Sequence, residues 1–376
     1  MNILYLSASP IPSRKANSIH VMNMCQAFAK NGHDVFLFAP DKKGDIQPVP
    51  QDVFAFYGVD SCFSIAKLPW LPIRGRGVIY ALVAATKART LRPDLVYGRD
   101  FASCFFSTKF GLPVVFELHM PPRDSGTVCE WLFRGLIKSP HLQHIVVITH
   151  ALKEHCEREY PSTNGRICVA PDGANPVREG IAPLDLPNRG QRLQVGYVGH
   201  LYQGRGVDLV LSLAQACSWA DFHLVGGTPT DLEYWRRASS RSHNVHFYGF
   251  LPPPIAEQLR IACDVLLAPY QHEVRVAGNG EANTVNWMSP LKVFEYMAAG
   301  KAILCSDLPV LREVLRHDHN ASLCPADDLE SWQHALERLR DDISLRDRLG
   351  QRARNGFLTN YTWCARAAAV LNHLAC

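Results

Sequence analysis

"NWMSPLKVFEYMAAGKAILCSD", residues 286–307, is a helix pattern running into a strand pattern. Val293, Phe294, Met297 and Ala298 recur at helical spacing and would face a core, and Gly300 would stop the helix before the strand-like run Ala302–Cys305. Helix–strand units of this kind, repeated along a chain, build a parallel α/β sheet. The opening turn does not fit a plain core helix. Ser289 is a natural N-cap and Pro290 suits the first helical position. Lys292 then falls in the first turn, where a cation is disfavoured by about 0.3–1 kcal/mol. A bound anion at that terminus would reverse the sign. Glu295 shares a face with Lys292. Two readings stand: a surface ion pair, or phosphate held by Lys292 and backbone N–H groups while Glu295 accepts hydrogen bonds from hydroxyls.

Outward from this stretch the same rhythm recurs. In the first half, strand patterns at Asn2–Leu6, Asp34–Phe38, Leu95–Tyr97, Pro113–Phe116, Ile145–Ile148 and Ile167–Ala170 alternate with helical patterns at Ser18–Lys30, Ile79–Thr90, Thr127–Ile137 and Ala151–Arg158. After a Pro-, Gly- and charge-rich stretch near 174–192 it restarts. Strand patterns follow at Gln194–Val198, Asp221–Leu224, Val245–Phe247, Val265–Ala268, Ala302–Cys305 and Ala321–Leu323. The helices between and after them are expected at Val207–Cys217, Leu232–Ala238, Pro254–Ala262, Leu291–Ala299 and Leu329–Asp341. Two such series predict two doubly wound Rossmann-like domains, about 1–180 and 190–360, with a final segment, 361–376, returning to the first. Ligands of such sheets bind beyond the carboxyl ends of the strands, so two facing domains imply a site in an interdomain cleft.

Bulk properties exclude several classes. With 376 residues, 47% hydrophobic and 20% charged, the chain can bury two cores and is not disordered. A net charge of +4 is too mild for a nucleic-acid-binding stripe. The 12 cysteines are scattered without a CxxC, as expected for reduced thiols in a cytoplasmic protein. "MNILYLSASP" reads as a strand rather than a signal peptide, and no apolar run approaches the ~20 residues of a spanning helix.

The strand-to-helix loop in "GYVGHLYQGRGVDLVL" has the spacing Gly199-x4-Gly204-Arg205. Arg205 replaces the lysine of a P-loop, and Gly206 stands where that motif needs a hydroxyl for magnesium, so a P-loop NTPase is not expected. A glycine-rich turn with an arginine at a helix start suits a diphosphate, because free N–H groups and the guanidinium both favour an anion. A tight turn with one solvated arginine has the same pattern.

"SPLKVFEYMAAGKAILCSDLPVLREVL", with "YVGHLYQGRGVDLVL" upstream, resembles the C-terminal half of GT-B retaining glycosyltransferases of glycosyltransferase family 4. "QAFAKNGHDVFLFAP", "RPDLVYGRD", "VVFELH", "IVVITHALKEHC" and "ICVAPDGANP" resemble successive N-domain segments of that family, and "YTWCARAA" its closing helix. The resemblance implies that Glu295 binds the donor ribose. It also implies that Arg205 and Lys292 contact the diphosphate and that Gly199 opens the phosphate loop. Met288 to Leu291, including Ser289, Pro290 and Leu291, would line the diphosphate and sugar. Tyr248 and Phe250 would flank the base, and His119 would contact the donor sugar near the reacting carbon. His200 stands where the family often has arginine. The family often carries two glutamates with seven residues between them; from Glu295 that spacing lands on Trp287, and neither Glu273 nor Glu281 fits. Gly278-Asn279-Gly280 suggests a loop over the donor, or a plain surface loop.

In the first loop, "SASPIPSRKANSIH", Arg14, Lys15, Asn17, Ser18 and His20 are candidates for contact with an acceptor or phosphate. Residues 66–92 combine Trp70, Leu71 and Ile73 with Lys67, Arg74, Arg76, Lys87, Arg89 and Arg92, a pattern that fits an anionic membrane surface or a solvated loop and core helix.

The expected function is a retaining, metal-independent transfer of a hexose-type sugar from a nucleotide diphosphate donor, base unspecified, to a saccharide or lipid-linked acceptor. The expected setting is cell-surface polysaccharide or glycoconjugate synthesis at the inner face of the membrane. No DxD motif or metal-ligand cluster stands out, and no cofactor beyond the donor is expected. The alternatives are a GT-B nucleotide-sugar 2-epimerase and a catalytically degenerate nucleotide-sugar-binding protein.

Overall fold

The computed structural model describes residues 1–42, 46, 50–202, 204–240, 242–274 and 283–374. The chain divides into two compact units, Met1–Asp172 with Trp363–Cys376, and Gly173–Thr362. The Pro- and Gly-rich stretch 174–192 lies wholly in the second unit, where the Ala174 N–H donates to Tyr361 O at 3.1 Å.

The first unit carries β1 (Asn2–Leu6), β2 (Asp34–Pro40), β3 (Ser64–Leu68), β4 (Leu95–Gly98), β5 (Val114–Leu118), β6 (Leu142–Val147) and β7 (Ile167–Val169). Among the described residues they form a seven-stranded, all-parallel sheet in the order β3-β2-β1-β4-β5-β6-β7. Its helices are α1 (Ala16–Lys30), α2 (Val53–Tyr57), α3 (Arg76–Leu91), α4 (Phe101–Lys109), α5 (Thr127–Ile137) and α6 (His150–Glu159). β4 and β5 are buried on both faces, as parallel strands covered by helices must be.

The second unit carries β8 (Leu193–Val198), β9 (Ala220–Val225), β10 (Val245–Gly249), β11 (Val265–Ala268), β12 (Ala302–Ser306) and β13 (Ser322–Cys324). They form a six-stranded parallel sheet in the order β10-β9-β8-β11-β12-β13. Its helices are α7 (Val207–Ala216), α8 (Pro229–Ala238), α9 (Pro253–Ala262), α10 (Leu291–Ala299), α11 (Leu329–Asp341) and α12 (Ile343–Asn360). Side-chain alternation splits its core in two. Val265, Leu267, Ala302 and Leu304 pack on one face with Val210 and Trp332, while Leu266, Ala268, Ile303 and Cys305 pack on the other with Phe294 and Met297. The helix α13 (Trp363–Asn372) belongs to the first unit, where Asn31 Nδ2, just after α1, donates to Cys364 O at 2.9 Å.

Several elements depart from the sequence patterns. β3 is an edge strand with a largely exposed face, so it lacks an apolar run. α4 is aromatic on more than one side, and α12 is strongly polar and contains Gly350 and Gly356, so neither has a clean helical period. Gly350 fits because α12 crosses close to Gly300: a Cβ at Gly350 would run into the Gly300 carbonyl oxygen.

Candidate functional site

In the second unit, the loop after β8, the end of β11 and the start of α10 meet around two cations. Lys292 is 8% exposed, and among the described residues its ammonium has no hydrogen-bond partner. Nζ lies 3.9 Å from the ring centroid of Tyr197 and 5.0 Å from that of Tyr270. Gly199 makes the room, since a Cβ there would lie 2.8 Å from Lys292 Nζ. Arg205 stacks over Tyr202 and over the same Tyr270 ring, at 5.1 and 5.6 Å, and donates through Nη2 to Tyr202 Oη at 3.0 Å. Its buried Nε has no partner among the described residues. Burial, and then the neighbouring Arg205 charge, push the Lys292 pKa well below the lysine range. Two cations against tyrosine rings, without a carboxylate in hydrogen-bond contact among the described residues, form a site that gains from a bound anion.

The backbone around them is tied down. The Gly199 N–H donates to Val225 O at 2.9 Å, and Tyr296 from α10 accepts the Val198 N–H at 2.8 Å. Gly206 has φ +76°, and a Cβ there would strike the Pro269 carbonyl oxygen, so only glycine brings this turn against β11. A cavity of about 500 Å³ beside this turn is lined by Asp208, Gln271, Glu273 and Asp327 among others; its carboxylates do not suit an anionic ligand.

Several expectations are corrected here. α10 begins at Leu291, so Pro290 and not Ser289 occupies the N-cap, in an extended conformation and without a side-chain capping hydrogen bond, and Ser289 is buried just before it. Lys292 and Glu295 form no surface ion pair: Lys292 turns inward, and Glu295 Oε2 accepts from Arg260 Nη1 at 3.2 Å. Leu291 and Glu295 are half-buried. The His200 carbonyl accepts the Tyr197 hydroxyl at 2.6 Å, and the His200 ring lies beside Tyr202. Tyr248 bonds His223 Nδ1 at 2.9 Å, and Phe250 is exposed. Trp287 sits half-buried in a turn, its N–H donating to Thr284 O at 3.0 Å. Glu281 and Gly278-Asn279-Gly280 lie outside the described residues.

In the first unit, Asn17, Ser18 and His20 lie in α1, which begins at Ala16, and not in an open loop. Asn17 Nδ2 donates to Ser9 Oγ at 2.6 Å, and the buried Ser18 hydroxyl bonds Ser13 O and Lys15 O, so both brace the loop they were expected to present. His20 is buried and joins His119, which follows β5 directly, in a cluster whose other members the sequence reading missed. Glu117 Oε1 bonds His119 Nε2, lies 3.0 Å from His20 Nε2, and accepts from Arg366 Nη2 at 2.9 Å. Glu117 Oε2 accepts from the Tyr97 hydroxyl, and His20 Nδ1 lies 2.9 Å from Asp172 Oδ1. One ligand atom from each of His20, Glu117, His119 and Asp172 lies within 4.8 Å of the others, a set that could hold a metal ion, which corrects the expectation of no such cluster. The Arg366 guanidinium already sits on Glu117 and provides internal charge compensation. The available signals were a glutamate inside the apolar strand "VVFEL" and an arginine inside "WCARAAAV".

Burial opposes ionisation of Glu117, but the charges of Arg366, His20 and His119 outweigh it and hold its carboxyl well below the usual range. Burial and the Arg99 charge depress His119 to about 4, burial and His373 depress His144 to about 4, and burial and His246 do the same for His223. These folded values lie below the ordinary 6.5, so between about pH 4 and 6.5 the unfolded chain binds more protons than the folded one. Stability therefore rises with pH across that window and is lost as pH falls, by at most about 3 kcal/mol per histidine. Denaturation midpoints at pH 7, 5.5 and 4.5 are expected to fall steeply, and a flat profile would contradict the assignment.

Comparison with known proteins agrees with this architecture. Residues 18–178 match the model of Glycosyltransferase Family 4, and residues 192–342 match that of Glycosyl transferases group 1. No curated relative matches the sequence. Among solved structures, sucrose-phosphate synthase from Thermosynechococcus elongatus is 16% identical with a TM-score of 0.72, over 98% of this chain and 96% of that one. Anabaena Alr3699/HepE in complex with UDP-glucose is 14% identical with a TM-score of 0.72, over 100% and 99%. A glycosyltransferase from Rickettsia africae is 12% identical with a TM-score of 0.72, over 99% and 97%. Two Rossmann-like parallel sheets and family matches over both halves carry the same conclusion: the chain belongs to the family 4, group 1 glycosyltransferases and has the GT-B fold.

Proposed function

We propose that this glycosyltransferase is a retaining enzyme that moves a hexose-type sugar from a nucleotide diphosphate donor to a saccharide or lipid-linked acceptor. The observation that carries the reading is the buried cation pair Lys292 and Arg205 between the Gly199–Gly206 loop and the start of α10. A diphosphate there satisfies both cations, and the N–H groups of the first turn of α10 add to the field. Glu295, oriented by Arg260, accepts from the ribose hydroxyls. Ser289, Pro290 and Leu291 line the diphosphate and sugar, Tyr248 and Phe250 flank the base, and the first unit receives the acceptor and offers His119 to a sugar hydroxyl.

In the reaction the bond from the anomeric carbon to the diphosphate oxygen breaks, and negative charge grows on the departing phosphate. Lys292 and Arg205 stabilise that charge more than the ground state, which accelerates the step. The acceptor oxygen bonds the same face of the anomeric carbon, and its proton passes to the departing phosphate oxygen, so configuration is retained. Neither a resident cofactor nor a metal is required for this balance.

A panel of uridine, guanosine and adenosine diphosphates in thermal-shift assays should single out one base, since a ligand of the native state stabilises it by mass action. The matching nucleotide sugar with acceptors should release nucleotide diphosphate, and Glu295→Ala should weaken donor use about tenfold or more. Wild-type donor affinity and turnover in both Glu295→Ala and Arg205→Ala would overturn the site. Donor conversion without acceptor would favour the epimerase, and binding without release the degenerate reading.

Among the described residues no helix is long and apolar enough to cross a membrane. Leu71, Ile73, Val78 and Leu82 are exposed beside the basic residues of 67–92, which supports peripheral contact with an anionic membrane on the cytoplasmic side. Trp70 instead packs on Tyr80 under Lys42 and Arg76. Sedimentation with anionic vesicles is expected to exceed that with neutral ones and to weaken with salt; equal recovery would sink this contact.

A further inference from the structure

We propose that Glu117 is a positioning residue that fixes the tautomer of His119: its carboxylate accepts a hydrogen bond from Nε2–H, so that His119 offers the Nδ1 lone pair to a sugar hydroxyl. The hydroxyl as ligand rests on the functional reading above; the tautomer rests on the geometry alone.

The side chain of Glu117 is 0% exposed, and donor groups surround it. Arg366, which can only donate, holds Oε1 through Nη2, and the Tyr97 hydroxyl holds Oε2. Arg366 is itself locked, donating through Nε to Pro171 O at 2.9 Å and through Nη2 to Ala170 O at 3.1 Å. His20 adds a ring nitrogen 3.0 Å from Oε1, and its other nitrogen faces Asp172. A protonated carboxyl would set an O–H against the Arg366 and Tyr97 donors, so Glu117 stands as an acceptor-only carboxylate. The His119 nitrogen that faces it must then carry hydrogen. A neutral imidazole has one donor and one acceptor nitrogen, which leaves Nδ1 as the acceptor.

The arrangement is a built one. Tyr97 from β4, His20 from α1, His119 just after β5 and Arg366 from α13 converge on one carboxylate, and His119 alone of the four metal-capable residues keeps partial exposure. A ring held as an acceptor selects a ligand O–H and gains nothing from a group without a proton to give.

The test uses full-length protein with 15N-labelled histidine and long-range proton–nitrogen correlation at pH 7. Wild-type His119, assigned by its loss in His119→Gln, is expected as the Nε2–H tautomer. In Glu117→Gln, whose amide can present N–H₂ as well as oxygen, Nδ1–H character should appear and kcat/KM should fall about tenfold or more. Wild-type His119 in the Nδ1–H form overturns the proposal, whatever the activity. So does a folded Glu117→Gln variant that keeps both tautomer and turnover. Zinc or manganese that shifts the His20 and His119 ring nitrogens together would reassign the cluster to a cation and overturn it as well. Absence of transferase activity with the wild-type tautomer intact would count against the functional reading, not against the positioning.

Discussion

Lys292→Met is expected to stabilise the free protein while abolishing its use of donor. Lys292 holds an ammonium in a nearly closed pocket, without a hydrogen-bond partner among the described residues and beside a second cation. An unpaired buried polar group costs about 1–3 kcal/mol, and more when charged. Methionine has similar length, no charge, and a thioether that packs well on the Tyr197 and Tyr270 rings. The expected gain of about 1–3 kcal/mol corresponds to a rise of roughly 2–4 °C per kcal/mol in the melting temperature of a unit of this size. The same substitution removes a cation from the departing phosphate, so kcat/KM should fall by about 10²–10³. The thermal shift produced by nucleotide diphosphate should shrink with it. Opposite signs for stability and function are the signature of a residue kept for its ligand. A variant that melts below wild type would show that Lys292 stabilises the fold and would remove the main observation behind the phosphate site.

Arg366→Leu is expected to destabilise the first unit by about 3–5 kcal/mol, the cost of breaking a buried pair by removing one partner. Arg366 is 3% exposed and binds Glu117, Pro171 O and Ala170 O, so leucine would leave a buried carboxylate uncompensated and two carbonyls short of a donor. Glu117 would then resist ionisation, and the destabilisation should be larger at pH 7 than at pH 5. The double variant Arg366→Leu with Glu117→Leu should recover part of the loss, since no charge remains stranded. Denaturant midpoints for wild type and the two variants measure this directly, and a loss under about 1 kcal/mol for the single variant would contradict the account.

The contrast between these residues explains what could be read in advance. In the second sheet, the alternation of Val265 with Leu266 and of Ile303 with Leu304 is local, with side chains two residues apart sharing a face. Strands and most helices were therefore legible. The edge strand β3 and the polar helix α12 were not, because their stability comes from pairing and packing with distant segments. The glycine-rich turn was legible in the spacing Gly199-x4-Gly204-Arg205, but the inward turn of Lys292 was not. Helical periodicity placed Lys292 and Glu295 on one face as a pair, and only packing assigned Glu295 to Arg260 and left Lys292 with aromatic rings.

The sequence by itself determined two α/β series, the glycine-rich loop and the lysine at the start of a core helix, because each depends on residues close together in the chain. Only the tertiary structure decided that His20, Glu117, Asp172 and Arg366 share one buried network, and that Lys292 and Arg205 flank Tyr270 without a neutralising carboxylate in contact among the described residues. The physical reason is that a buried charge is defined by what surrounds it, and here the surroundings come from segments the chain keeps far apart.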